Sequence, residues 1–344
     1  MPIISGAELK NFAIRLLESG GYCAEDAAQT ADLLVWANLR GIESHGVLRI
    51  PRYIEMVEQG ITVSGKPIVT VREHGAIAVL DGGKCPGAVG MNAAIDRAAV
   101  IARQFGIGWC AARAISHAGA IGYFASTLAG QGLIGMIMAA SKPLMSYYGA
   151  KGEALSTNPL AIGVPVPGQE PLLLDMSTAA VALGKIMAAK DAGEKIPLGW
   201  AIDETGIETT DPARVAALLP MAGAKGAGLS LMIEVLTSVL AGNAVIGPVL
   251  LGQKKEGFNG LAIAIDPAAF GARDEFDEAI GDLRRTIRGL EPAEGLKVVA
   301  LPGERGARTW RLRSEEGIPL AAGTSKKLID VARRFSVEVP SPLF

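Results

Sequence analysis

The chain has 344 residues, long enough for two domains, and its 49% hydrophobic against 20% charged residues supplies ample material for buried cores. Lys and Arg number 33 against 35 Asp and Glu, which leaves no basic excess to hold a nucleic-acid backbone. The opening MPIISGAELK lacks a charged leader with an apolar core, and no apolar run approaches the ~20 residues of a membrane span, so a cytoplasmic protein without a membrane partner is expected.

In chain order, Ser5 followed by Glu8 has the form of a capping box and predicts a helix through Leu17 that stops at Gly20 and Gly21. Apolar side chains at Ala27, Ala31, Val35 and Leu39 repeat with a helical period, predicting a second helix over 24–40 closed by Gly41. A third is expected from about Pro51 to Gln59, because proline is tolerated in the first turn of a helix. The stretch ESHGVLRIPRYI therefore holds His45 and Arg49 at or just before a helix N-terminus.

The texture changes near residue 76. AIAVLDG, IGWCAARA, LIGMIMAA, LAIGVPV and PLLLD are short, partly β-branched apolar runs bounded by Gly, Pro or polar clusters, with a helical stretch from Gly87 to Arg103 among them. This predicts an α/β domain. It continues through an apolar helix after Gly228, the strand LAIAID, a helix over Glu275 to Arg288 and a strand KVVALPG ending at Gly303. A final amphipathic helix over Ser325 to Arg334 can return to pack beside the N-terminal helices. Cys23, Cys85 and Cys110 are odd in number, far apart and form no CxxC, which points to reduced packing residues.

Abundant glycine in an α/β chain invites a dinucleotide-binding reading, yet G-x-G-x-x-G is absent, as is the P-loop sequence. Polar clusters at glycines or strand ends occur instead: SHAGAIGYF around His117, ALSTNP around Thr157, LLLDMST around Asp175, GAKGAG around Lys225 and LPGER around Glu304. Lys225 precedes an apolar helical stretch, so its amine and the free N–H groups of that turn can hold a phosphate, or it is a solvated loop lysine. His117 follows a strand and precedes a helix, where open α/β sheets bind ligands; a capping or packing histidine fits as well. Asp175 ends a strand and suits an N-cap. His74 is given no role.

In ESHGVLRIPRYI, a histidine is suited to protonate a developing alkoxide because its ordinary pKa lies near neutrality. An arginine holds a carboxylate with two parallel hydrogen bonds where lysine offers a point charge. His45 and Arg49 have those chemistries, Ser44 can orient the imidazole, and Tyr53, one turn on, can close the same face. The local sequence is equally that of a capped helix start with a surface arginine.

The joint pattern discriminates. RGIESHGVLRIPRYIEMVEQG, SHAGAIGYFA, STNPLAIGVP, LLLDMST, IPLGWAIDETGIETTDP, LLPMAGAKGAGLSLMIEVL and LPGER, in this order, resemble the malate/L-lactate dehydrogenase family of non-Rossmann NAD(P)-dependent oxidoreductases. The resemblance runs to about residue 310. It implies an α/β fold whose NAD(P)-binding domain is built on a mixed, largely antiparallel sheet flanked by helices, with a helical domain from both chain ends. The corresponding boundaries are 1–72 with 304–344 for the helical domain and 73–303 for the NAD(P)-binding domain. It further implies a homodimer, NAD or NADP as cofactor, no metal, and a small 2-oxo or 2-hydroxy acid as substrate, or a cyclic 2-imino acid in the piperideine-2-carboxylate reductases.

Matched residue by residue, His45 falls on the proton donor, Ser44 on its hydrogen-bonding neighbour and Arg49 on the carboxylate ligand, with Tyr53 placed beside them. His117 falls on a histidine of the catalytic and nicotinamide region, and Thr157 on the TNP threonine close to substrate. Ser141, Asp175, Met176, Ser177, Lys225, Gly226 and the turn Pro302, Gly303, Glu304, Arg305 fall on cofactor contacts. Lys185 occupies a Gly-Lys position typical of the dehydrogenase members, where the cyclic-imine reductases carry an acid.

Two departures bear on substrate: Ala118 follows the second histidine where the family often has a bulky residue, and the loop before the TNP motif brings Lys142, Tyr147 and Tyr148. Extra room at Ala118 and a cation at Lys142 suit a larger or more anionic substrate than lactate. Competing readings are a metal-dependent hydrolase, disfavoured by three scattered histidines; a pyridoxal-phosphate enzyme using Lys225; and a catalytically silent nucleotide-binding protein.

Overall fold

A computed structural model describes residues 1–254 and 257–343. In chain order, β1 (Ile3–Ile4), α1 (Gly6–Ser19) and α2 (Ala24–Leu39) lead through two 3-10 turns, Glu43–His45 and Val47–Arg49, to α3 (Ile50–Glu58). Then follow β2 (Val69–His74), β3 (Ile77–Cys85), α4 (Gly87–Phe105), β4 (Ile107–Ile115), α5 (Gly122–Gly130), β5 (Ile134–Ala140), β6 (Leu160–Val164) and β7 (Leu172–Met176). The next stretch holds α6 (Leu183–Ala192), β8 (Ala201–Ile202), β9 (Ala217–Leu218) and α7 (Ala224–Glu234), the last continued by a π-helical turn over Val235–Val239. The chain ends with α8 (Ile246–Leu250), β10 (Phe258–Ile265), α9 (Arg273–Arg288), α10 (Glu304–Glu316), β11 (Ile318–Pro319) and α11 (Ala322–Arg334).

Seven strands form one sheet in the order β2-β3-β4-β10-β5-β6-β7. β3 and β4 are parallel, joined through α4, and the other neighbours are antiparallel, so the sheet is mixed and largely antiparallel as the resemblance implies. β10 enters late in the chain and sits at the centre, which explains its near-continuous burial from Asn259 to Ala264: both faces and both edges are covered. α4 and α5 cover one face with Met91, Ile95 and Phe124. Fully burying such a side chain contributes roughly 1.5–3 kcal/mol.

A second core joins the two chain ends. Phe12, Leu16, Leu34, Ile50 and Ile54 from α1, α2 and α3 pack with Ile318, Leu328 and Ala332, and β1 pairs antiparallel with β11 to tie the termini together. Ser5 Oγ accepts the Glu8 N–H at 3.2 Å, the expected cap of α1 and worth about 1 kcal/mol.

Several expectations need correction. KVVALPG forms no strand: Val298 is exposed, and the run meets β7 through one backbone bond, in which the Leu173 N–H donates to Pro302 O at 3.1 Å. The helix expected after Gly228 begins four residues earlier, at Ala224. The sheet already starts at Val69, ahead of the change of texture near residue 76, so His74 ends β2 just before the turn into β3. α6 and α10 were not anticipated from the sequence pattern; α10 buries only Ala307 of its thirteen residues, leaving no apolar stripe to read.

Candidate active site

The polar stretch before α3 folds as two 3-10 turns because Asn38, buried in α2, accepts the Val47 N–H through Oδ1 at 2.8 Å and breaks the helical ladder there. These turns stack Ser44, His45 and Arg49 on one side. Ser44 Oγ lies 2.9 Å from His45 Nδ1, and Arg49 Nε donates to the Ser44 carbonyl at 2.7 Å. The site is therefore braced by Ser44 twice, once through its side chain and once through its backbone.

His117 reaches the same place from the sheet. Its approach depends on a bulge where β10 meets β4: the register shifts between Phe258 and Gly260, and Ala114 adopts φ 52°, a left-handed conformation a non-glycine residue seldom takes. Asn259, fully buried, compensates by accepting the Ala114 N–H through Oδ1 at 3.1 Å while its amide donates to Ser238 Oγ at 3.0 Å and Asn243 O at 2.9 Å. Beyond the bulge the His117 ring stacks on His45 with centroids 5.6 Å apart and planes at 21°, and Phe258 meets it edge-on at 5.4 Å. Tyr53 Oη lies 2.8 Å from His117 Nδ1.

Burial, reinforced by the Arg49 cation, lowers the His45 pKa to about 4. Burial again, with His45 and Arg49 adding to it, holds His117 well below the usual imidazole range. Both rings are neutral at neutral pH. Burial also raises the Tyr53 phenol, against the pull of Arg49.

A second convergence involves the strand-end loops. Ser141 Oγ bonds Ser156 Oγ at 2.7 Å; the Thr157 carbonyl accepts from Ser177 Oγ at 3.2 Å and Thr178 Oγ1 at 3.0 Å. Ser230 of α7 donates to Ser156 O, and Met221 N–H to Thr178 O, so the start of α7 with Lys225 is tied to the Thr157 and Ser177 loops. Gly226 is required there, since a Cβ would fall 2.2 Å from the Met221 carbonyl. Lys225 lies in the first turn of α7 and is exposed.

Asp175 and Met176 end β7, where Asp175 Oδ2 accepts the Gly122 N–H at 3.2 Å. Asp175 is open to solvent, yet crowding by neighbouring protein raises its carboxyl to about 6 against the Gly122 N–H and Arg40. The turn Pro302 to Arg305 abuts β7: Gly303 has φ 89°, and a Cβ on it would fall 2.9 Å from Leu173 Cβ. Glu304 is ion-paired with Arg288 at 2.6 Å, and Arg305 is exposed.

Lys185 is exposed in the first turn of α6, next to Gly184, where a Cβ would lie 3.9 Å from Ser44 Cβ; its amine lies 6.0 Å from the Trp200 ring centroid. Lys142 and Tyr148 are exposed on the loop after β5. Ala118 is only 3% exposed and belongs to the sheet core. Ser44, His45, Arg49, Tyr53 and His117 thus form one contact group, and Ser141, Thr157, Ser177 and the start of α7 gather on neighbouring strand-end loops.

A cleft of about 690 Å³ lined by Pro165, Pro171, Arg273, Arg284 and Arg311 contains none of these residues, and size alone gives it no chemistry. Among the described residues no group of three or more His, Cys, Asp and Glu side chains gathers as metal ligands do, and no helix is long and apolar enough to cross a membrane.

With this geometry in view, comparison with known proteins is decisive. Residues 4–329 match the family model of malate/L-lactate dehydrogenase. The chain belongs to the malate/L-lactate dehydrogenase family. This dehydrogenase is 35% identical to malate dehydrogenase of Pyrococcus abyssi, covering 96% of this chain and 94% of that one. It is 34% identical to L-sulfolactate dehydrogenase of Methanocaldococcus jannaschii, covering 96% of each. Its fold superposes on the solved malate dehydrogenase of Pyrococcus horikoshii with a TM-score of 0.89 at 32% identity, over 98% of this chain and 97% of that one. As a member of this family the chain is a hydroxyacid dehydrogenase, and the family implies a nicotinamide cofactor.

Three residues that shape the candidate site were not legible in the sequence. Phe258 flanks His117 through sheet register, and Asn259 carries the bulge; neither has a local motif. Arg40, 7% exposed, donates to Gly303 O at 3.1 Å and faces Glu170 at 3.9 Å, linking the end of α2 to the Pro302–Arg305 turn. An arginine directly after the apolar end of α2, LLVWANL, was the available signal.

Proposed function

We propose that this dehydrogenase catalyses reversible hydride transfer between a nicotinamide dinucleotide and C2 of a 2-hydroxy or 2-oxo acid, with His45 exchanging the hydroxyl proton and Arg49 holding the carboxylate. The observation that carries this reading is the Ser44 brace, which fixes an imidazole and a guanidinium side by side. Arg49 bonds Ser44 through Nε, so its two terminal nitrogens form a fork toward a carboxylate. With Nδ1–H donated to Ser44 Oγ, His45 keeps the Nε2 lone pair that takes a proton from the hydroxyl in oxidation and returns it in reduction.

The strand-end loops suit a dinucleotide. Lys225 and the first-turn N–H groups of α7 favour a phosphate, the missing Cβ of Gly226 lets the chain close tightly there, and the Ser141 and Ser177 hydroxyls with the Asp175 carboxyl offer polar contacts to ribose and carboxamide. Met176, Gly226, His117 and the Pro302, Gly303, Glu304, Arg305 turn complete that set, in the positions the family resemblance assigns. When bound, the nicotinamide supplies or accepts the hydride.

Malate and sulfolactate, on which the relatives act, both carry a second anion beyond the 2-hydroxy acid, and Lys185, the residue after Gly184, gives this chain a cation rather than the acid of the cyclic-imine reductases. A 2-oxo acid is therefore favoured over a cyclic imine. The helical domain of 1–72 and 304–344, the NAD(P)-binding domain of 73–303, a homodimer and a cytoplasmic setting accompany the reading. The test is initial rates with NADH and with NADPH across oxaloacetate, sulfopyruvate, pyruvate and piperideine-2-carboxylate: turnover of a 2-oxo acid is expected, and activity confined to the cyclic imine would replace the reading.

A further inference from the structure

Tyr53 stands on α3 and His117 follows β4, yet the two share a 2.8 Å hydrogen bond inside the protein, with Tyr53 only 6% exposed. Three rings fix the plane of the His117 imidazole: His45 stacked at 5.6 Å, Phe258 edge-on at 5.4 Å and Tyr53 tilted by 56° at 5.9 Å. Ring contacts set an orientation but do not choose which nitrogen bears the proton. The bond made by the other nitrogen does.

A neutral imidazole has one N–H and one lone pair, and a phenol has one proton with a weakly accepting oxygen. Were His117 Nδ1–H the donor, the buried Tyr53 proton would need a second acceptor. Among the described residues Tyr53 makes its hydrogen bond to His117 and to no other group. Burial keeps His117 neutral and the phenol protonated, so neither partner escapes this choice by changing charge.

We propose that Tyr53 is a positioning residue whose O–H donates to His117 Nδ1, leaving the His117 proton on Nε2 and making that ring a fixed hydrogen-bond donor in the active site. The proposal rests on the reading of the site as a hydride-transfer centre, and it removes Tyr53 from the substrate-contact role expected of it. The two histidines then hold opposite tautomers. His45 carries Nδ1–H toward Ser44 and exchanges protons through Nε2; His117 offers Nε2–H to the oxygen that gains negative charge as the carbonyl is reduced.

Nitrogen-15 spectra of the full chain labelled in its histidine rings read the tautomer directly, with the His117 signals assigned by their loss in His117→Gln. An unprotonated Nδ1 and a protonated Nε2 are expected at neutral pH; a protonated Nδ1 overturns the proposal whatever the enzyme turns over. Tyr53→Phe keeps the ring and removes the hydroxyl, so mixed His117 tautomers are expected, with kcat about tenfold lower and KM for the oxo acid within about twofold. An unchanged tautomer in that variant also overturns it, and should Tyr53→Phe fail to fold, the native spectrum still decides. If the native tautomer is as expected but no 2-oxo acid is turned over, the activity reading fails while the Tyr53 assignment stands.

Discussion

The imidazoles of His45 and His117 lie parallel within 21° at a centroid separation of 5.6 Å, although one sits in a 3-10 turn of the helical end of the chain and the other follows a central strand. The candidate active site therefore joins residues from the helical end of the chain to residues that follow the central strands. Burial lowers the proton affinity of both rings, Arg49 adds to it at both, and His45 adds to it at His117.

That crowding has a kinetic signature. His45 in the free enzyme is held near 4, first by burial and second by Arg49. A bound carboxylate neutralises Arg49 and removes the second cause, so the His45 pKa rises in the complex. Oxidation of the hydroxy acid needs neutral His45 and falls as pH drops. The acid limb of kcat/KM, which reports free enzyme, should lie near 4, and the limb of kcat, which reports the complex, should lie at higher pH. Profiles of both parameters check this, and a kcat limb at lower pH than the kcat/KM limb contradicts the assignment of Arg49 to the carboxylate.

The bulge at Ala114 yields a prediction of a different kind. Asn259→Ala removes the acceptor of the Ala114 N–H and the donor to Ser238 and Asn243, leaving buried groups unpaired at a cost of about 1–3 kcal/mol. The backbone then relaxes from φ 52° and swings His117, so turnover should fall more than folding does. Thermal melts and kcat measured together decide it: a lowered melting temperature with native kcat would detach the bulge from the site.

The legible parts of this molecule are those in which local chemistry and tertiary fate agree. Ser5 and Glu8 mark α1, and apolar runs bounded by Gly, Pro or polar clusters mark β3 to β7 and β10; in β10 burial on both faces leaves an apolar string that can be read directly. KVVALPG carries the same texture but finds no strand edge, which only the assembled sheet can reveal. α10, ERGARTWRLRSEE, is the opposite case, a surface helix held by its ends and by Arg313 contacts to Asn38 and Glu43, with no apolar period to detect.

The candidate site divides in the same way. His45 and Arg49 are near neighbours in sequence and their chemistry is visible in the motif, whereas His117 and the rings around it arrive by long-range packing. No spacing rule joins Tyr53 to His117 or Phe258 to either. Family resemblance supplied the roles; the register of β10 against β4 supplies the positions.

The most direct test of the account is steady-state turnover of His45→Ala with the best 2-oxo acid and its preferred nicotinamide, measured beside cofactor binding by the same protein. We expect kcat to fall by ~100-fold or more, the usual yield of a general acid, while the cofactor binds as tightly as in the native enzyme. Near-native kcat with intact cofactor binding would contradict the assignment of proton exchange to His45.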